Sequence, residues 1–309
     1  MSQDALIAVL GPTAVGKTER SLILAERFHA EIVSADSRLL YRGMDIGTAK
    51  PSVEARRRIP HHLIDVAEPT ETWSLAAFRQ AALAAIAGIH SRGQLPFLVG
   101  GTGQYITAIL QGWSPPPRPK DSALRRELEA FAVDRGASAL HQRLRDVDPE
   151  SAERMDPRNV RRVVRALEIA SITGGRPSDQ RVKTPPPFRV LKVGFTLPRA
   201  ELFARIDARI DAMLEQGWIE EVRRLLAAGV SPDLPSMSAI GYRELADYIA
   251  GRSTLEAAVR EIRRASRVFV RRQANWFKSG DASISWLESR PGVEAAAESR
   301  IRAWLDFPG

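Results

Sequence analysis

Gly11-Pro12-Thr13-Ala14-Val15-Gly16-Lys17-Thr18 is the stretch on which the fold turns. It fits the pattern G-x-x-x-x-G-K-[ST]. It follows an apolar, strand-length run, Ala5 to Leu10, and precedes a helical pattern from Lys17 to about Phe28. Strand, loop and helix in that order are the setting in which the pattern forms a P-loop. The glycines let successive backbone amides turn inward around a phosphate, and the helix N-terminus adds its partial positive charge. Lys17 is placed to reach a phosphate oxygen, and the Thr18 hydroxyl to ligate Mg2+. A glycine-rich turn without a ligand is the plain alternative, and the flanking elements argue against it. A P-loop specifies phosphate rather than ATP.

Working outward, Ile32 to Ser34 reads as a second strand, Leu63 to Val66 as a third and Phe97 to Val99 as a fourth, the last followed by Gly100, Gly101 and Gly103. Ser74 to His90 carries apolar residues at helical spacing. Strands alternating with helices predict an α/β fold: a P-loop NTPase-like parallel sheet flanked by helices. No apolar strand ends in the Asp that an ordinary ATPase places there.

The texture changes at Ser114 to Lys120, where four prolines stiffen the chain, and again at Gly174 to Pro187. Between these breaks the pattern is helical and highly charged. Residues 1–117 and 188–309 are therefore expected to form the core with C-terminal helices, and residues 118–187 a helical insertion domain. Arg189 to Thr196 reads as a strand. Helices are expected near Arg199 to Gln216, Ile219 to Ala228, Tyr242 to Ala250 and Thr254 to Phe277.

At 309 residues with 44% hydrophobic content, the chain can bury a sizeable core. The sequence shows no apolar run long enough to span a membrane and no signal-peptide pattern, so a cytoplasmic protein is expected. Zero cysteines exclude disulfides, thiolate nucleophiles and Cys-containing zinc sites, which leaves a hard cation such as Mg2+ as the expected metal. The 45 Lys and Arg against 37 acids give a formal charge of +8, which suits phosphate-rich partners without specifying one. No heptad seam is evident, and a monomer is expected.

Asp36, in Ser34-Ala35-Asp36-Ser37, should lie at the carboxyl edge of the sheet, where open α/β folds bind ligands. A general base or Mg2+ ligand and a turn-capping Asp are equally open readings. Arg260, Arg264, Arg267 and Arg271 recur at helical spacing, as a phosphate-tracking stripe or as a solvated face partnered by Glu256 and Glu261. The neighbours His61 and His62 favour a structural role over a metal site. Trp73, Trp113 and Trp218 read as packing residues, and Trp276 as a base-stacking candidate.

Together these residues resemble the bacterial tRNA dimethylallyltransferase family. The resemblance is carried by Gly11 to Thr18, Ser34 to Ser37, Tyr41 to Pro51, Pro60 to Asp65 and Val99 to Tyr105. It continues through Asn159 to Glu168, Arg205 to Asp211, Ser236 to Arg243 and Arg271 to Phe277. It spans nearly the whole chain, and the block ending Gly47-Thr48-Ala49-Lys50-Pro51 is far more specific than a P-loop. The stretch after Ser279 carries no part of the resemblance. The resemblance implies transfer of the dimethylallyl group of dimethylallyl diphosphate to the exocyclic amine of the adenine 3′ of the anticodon. The P-loop then grips a diphosphate leaving group instead of ATP.

By the same resemblance Asp36 is the general base, while Thr13, Lys17 and Thr18 hold the diphosphate with Mg2+. Thr102 stands near the reacting centre and Arg209 helps bind diphosphate. Four segments correspond to family segments that meet the tRNA anticodon stem-loop: Asp36, Ser37, Arg38 and Leu39; Arg161, Arg162, Val163, Val164 and Arg165; Ser238, Ala239, Ile240, Gly241, Tyr242 and Arg243; and Arg271, Arg272, Gln273, Trp276 and Lys278. Many members carry Gln where this chain has Leu39, which puts a base contact from that side chain in doubt. The rival readings are a P-loop kinase acting on a small metabolite and an RNA-binding nucleotide switch.

Overall fold

A computed structural model describes residues 4–113, 123–179 and 183–307. The first part of the chain runs β1 (Ala5–Leu10), α1 (Lys17–Arg27), β2 (Ala30–Ser34), α2 (Val53–Arg58), β3 (His61–His62), α3 (Leu75–Ser91), β4 (Leu95–Val99) and α4 (Gly103–Leu110). Four helices follow: α5 (Ala123–Arg135), α6 (Ala137–Val147), α7 (Pro149–Glu153) and α8 (Val160–Thr173). The chain then forms β5 (Arg189–Thr196), α9 (Arg199–Glu215), α10 (Trp218–Ala227), α11 (Tyr242–Ile249), α12 (Leu255–Trp276), β6 (Ile284–Glu288) and α13 (Val293–Asp306).

The six strands pair in the order β3-β2-β4-β1-β5-β6, and every pairing is parallel. A central parallel strand is covered on both faces and so reads as a continuous apolar run. β1, Ala-Leu-Ile-Ala-Val-Leu, is buried at every position, with Ile7 beside Phe97 on one side and Leu191 on the other. The sheet expected from the motif is present, with helices around it.

One expectation fails locally. Leu63 to Val66 does not form a strand: Leu63 and Asp65 both adopt positive φ, 63° and 55°, which breaks an extended run. The third strand is instead the two-residue β3, and Asp65 turns to bond Lys50 and Arg56. The tail after Ser279, which carried no part of the resemblance, supplies β6, the sheet's outer strand beside β5, and α13, which packs against α1.

By contacts the chain divides into two compact units. One comprises Met1–Trp73, Ala77–Leu110 and Pro186–Gly309; the other comprises Ser74–Ala76 and Gln111–Pro185. The proline-rich break at Ser114 to Lys120 and the 117/118 boundary lie outside the described residues, as does part of the break at Gly174 to Pro187. The smaller unit has its own core of Leu128, Leu140, Leu144, Val163 and Val164. Within it α8 is capped by Asn159 and ends at Gly174 in the left-handed conformation, while Glu168, fully buried, forms a two-pronged pair with Arg125. Among the described residues no helix is long and apolar enough to cross a membrane.

Candidate functional site

The loop from β1 to α1 is shaped by three left-handed positions: Gly11 at φ 141°, Ala14 at 62° and Gly16 at 91°. A Cβ on Gly11 would overlap the carbonyl oxygen of Phe195 on β5, so only glycine fits there. Gly16 precedes α1 without a side-chain cap, which leaves the first amides of that helix open to an anion. Distant residues hold the loop from outside. Ser289, beyond β6, donates to the Val15 carbonyl at 2.6 Å and accepts from Arg20.

Lys17 folds over the loop, with its ammonium donating to the Pro12 carbonyl at 2.7 Å. Burial pushes it down to about 8; Asp36 opposes that shift and Arg209 adds to it. The free protein therefore loses this charge as pH rises through about 8, whereas a diphosphate bound in the loop would hold the ammonium protonated. The affinity for inorganic diphosphate should accordingly gain nothing from Lys17 titration below that point and decline above it. Calorimetry from roughly pH 6.5 to 9.5, with Lys17→Met as the reference, checks this: the variant binds more weakly and lacks the decline.

Asp36 lies just past β2. Its Oδ1 accepts the Arg38 amide at 2.9 Å, and its other oxygen has no hydrogen-bond partner among the described residues. Asp36 thus caps a turn and still presents a free acceptor. The two readings left open by the sequence are compatible. The Thr102 hydroxyl accepts the Ser37 amide at 3.1 Å, which joins the loop after β4 to the Asp36 loop. Arg38 reaches the Pro235 carbonyl at 2.9 Å and the Ser238 hydroxyl at 3.1 Å.

Two cavities meet at this acid. One, of about 390 Å3, is lined by Gly16, Lys17, Thr18, Ser34 and His61. The other, of about 600 Å3, is lined by Arg38, Thr102, Ser238, Phe269, Arg272 and Trp276. Thr13, Asp36, Thr48, Ala49 and Arg209 border both. Arg209, on α9, has no carboxylate partner among the described residues, and enclosure in the cavity pushes its guanidinium below its usual value although solvent still reaches it.

The wall carrying Thr48 is built by a device the sequence did not disclose. Glu221, on α10 and 2% exposed, accepts the amides of Asp45 and Ile46 at 2.8 and 2.7 Å and that of Gly47 at 3.2 Å. It also accepts the Tyr242 hydroxyl at 2.7 Å. Burial and this carboxylate together hold the phenol of Tyr242 protonated. Trp218 packs where a Cβ on Gly47 or Gly241 would overlap its ring. The only signal in the sequence was an acid in an otherwise apolar helix face.

Several residues assigned to RNA by motif are buried or already partnered. Val163 and Val164 lie in the core of the smaller unit, supporting the helix on which Arg161 and Arg162 are exposed. Arg165 pairs with Glu168 on the same helix. Ala239, Gly241 and Tyr242 are buried, Gly241 and Tyr242 against Trp218. Gln273 is buried as well, and Leu39 faces the smaller cavity. In the arginine stripe Arg264 pairs with Glu261 and Arg267 with Asp207, whereas Arg271 and Arg272 have no carboxylate partner among the described residues. Trp276 remains 50% exposed. The rings of His61 and His62 turn to different partners, the Ile59 carbonyl and Glu31, as a structural role requires.

A glycine-shaped phosphate loop, a free carboxylate beside it and a second cavity opening on that carboxylate define a P-loop α/β protein built to bring another molecule to a phosphorylated one. The chain belongs to the IPP transferase family, whose model matches residues 39–280. That match begins beyond the P-loop, but full-length relatives cover it. The tRNA dimethylallyltransferase of Roseiflexus sp. (strain RS-1) is 48% identical over 304 residues, covering 97% of this chain and 99% of that protein. That of Roseiflexus castenholzii is 50% identical over 304 residues, covering 97% and 98%. The crystal structure of the full-length tRNA isopentenylpyrophosphate transferase from Bacillus halodurans superposes with a TM-score of 0.73 at 40% identity, covering 98% of this chain and 97% of that one. A eukaryotic dimethylallyltransferase studied acting on tRNA superposes with a TM-score of 0.82 at 26% identity, covering 97% and 77%.

Proposed function

We propose that this chain, acting as a monomer, transfers the dimethylallyl group of dimethylallyl diphosphate to the exocyclic amine of the adenine 3′ of the anticodon in tRNA. The observation that carries the reading is the meeting of two cavities at Asp36. The smaller, with its P-loop, suits a diphosphate, and the larger lies within the range of about 300–1,000 Å3 that accommodates small organic groups. The bond from the allylic carbon to the diphosphate oxygen breaks, and its electron pair leaves with the diphosphate. The adenine nitrogen forms the new bond and gives its proton to Asp36. Lys17, the loop amides and Arg209 meet the charge that develops on the leaving oxygen. Adenine must be splayed out to reach Asp36, which costs least in a single-stranded loop.

Mg2+ fits the donors present. Among the described residues no cluster of three His, Asp or Glu side chains forms a closed site. Thr18 and Asp36 nonetheless offer hard oxygens to one cavity, in keeping with an ion that keeps several waters and takes its remaining ligands from substrate phosphates. When bound it would neutralise the departing diphosphate.

Isotopic transfer from dimethylallyl diphosphate to bulk tRNA, with and without chelator, is the direct test. Label moving into tRNA only when Mg2+ is present is the expected result. Consumption of ATP with a metabolite, and no label in tRNA, would instead establish the kinase reading. The absence of an acid at the end of β4, where Gly100 and Gly101 stand, argues against the kinase.

A further inference from the structure

Gln273 lies near the C-terminal end of α12 and is 4% exposed, so its amide must find partners inside the protein. It finds them on two loops. Oε1 accepts the Thr13 amide of the P-loop at 2.9 Å, and Nε2 donates to the Gly101 carbonyl after β4 at 3.0 Å. Reversing the amide would set donor against donor and acceptor against acceptor, so this orientation is the one that satisfies both loops. The glycines make room for it. A Cβ on Gly101 would overlap Gln273 Nε2, and one on Gly103 would overlap the ring of Trp276. A Cβ on Gly100 would overlap the backbone of Ala35. The end of β4, where nucleotide-splitting P-loop proteins carry an acid, thus has no space for one. A neutral amide from a residue 172 positions beyond Gly101 stands there instead.

The geometry points to Gln273 as a positioning residue that sets the shape of the diphosphate cradle from α12. By holding the Thr13 amide and the Gly101 carbonyl at once, it makes diphosphate binding depend on the helix that carries Arg264, Arg272 and Trp276 along the larger cavity. Motif correspondence put Gln273 in contact with RNA. Its partners put it on the phosphate side. The inference deepens the transferase reading and rests on it.

Gln273→Met keeps the length of the side chain and removes both hydrogen bonds. Gln273→Glu keeps an acceptor for Thr13 and sets a second acceptor against the Gly101 carbonyl. For the full chain and both variants, calorimetry with inorganic diphosphate is combined with kcat, the KM for dimethylallyl diphosphate and the Kd for an anticodon stem-loop RNA. Gln273→Met should bind inorganic diphosphate about tenfold more weakly and raise that KM by a similar factor, with Gln273→Glu between it and the parent. The RNA Kd should stay within about threefold. Loss of RNA affinity with diphosphate binding unchanged overturns the proposal, as does equal impairment of the two variants or no change in either. If Gln273→Met does not fold, Gln273→Glu decides alone: a diphosphate-specific loss supports the proposal, and unchanged diphosphate binding overturns it. Failure of the parent chain to label tRNA would sink the transferase reading, while the titration with inorganic diphosphate would still decide the role of Gln273.

Discussion

Asp36→Asn is expected to lower kcat by about 100- to 10,000-fold, the usual contribution of a positioned general base. The amide oxygen still accepts the Arg38 amide, so the turn past β2 survives and the loss reports the missing base rather than a collapsed loop. The exocyclic amine of adenine is a poor nucleophile because its lone pair is delocalised into the ring. Its proton must leave as the new bond forms, and Asp36 is the carboxylate that borders both cavities. The Kd for tRNA should remain within about twofold, because the substitution removes no contact to phosphate. Single-turnover kinetics with saturating dimethylallyl diphosphate measures the effect. A rate unaltered by Asp36→Asn would remove this residue from the mechanism.

Glu221→Ala should lower the free energy of unfolding by about 3–5 kcal/mol, at the large end for a single substitution. Four donors converge on this one carboxylate: the amides of Asp45, Ile46 and Gly47 and the Tyr242 hydroxyl. Alanine leaves the buried Tyr242 hydroxyl and three part-buried amides without that acceptor. Glu221→Gln should cost less, since one acceptor oxygen remains while the amide nitrogen faces donors. Denaturant unfolding followed by tryptophan fluorescence reports the change, because Trp218 packs against Tyr242 with ring centroids 6.0 Å apart. Because the held loop also carries Thr48 and Ala49, which border both cavities, the variant should lose activity at temperatures where it remains folded.

The paired arginines of α12 bear on RNA binding. Arg264 and Arg267 already have carboxylate partners among the described residues, so on the transferase reading the guanidiniums left for phosphate are Arg260 near the start of the helix and Arg271 and Arg272 at its C-terminal end, beside exposed Trp276. An amphipathic pattern locates such a stripe. Whether a given guanidinium is free depends on an acid from another helix, here Asp207 on α9.

The legible parts of this protein were those whose signal is local. β1 and β5 announced themselves as apolar runs, and the long helices by their period. Leu63 to Val66 misled because apolar residues in a row look extended, whereas positive φ at Leu63 and Asp65 turns the chain and lets Lys50 and Arg56 capture Asp65. β6 went unread because a five-residue, half-buried strand at a sheet edge becomes a strand only through its partner β5.

The octapeptide Gly11 to Thr18, read with the strand before it and the helix after it, was enough to predict a phosphate-binding loop on a parallel sheet, because backbone amides, glycine torsions and a helix start are properties of consecutive residues. Only the tertiary structure decided what holds that loop in shape and what faces it. Gln273 and Ser289 reach it from more than 250 residues away, and Glu221 secures the opposite wall. Buried polar groups choose partners by proximity in the folded core, and that proximity leaves no period or spacing in the chain.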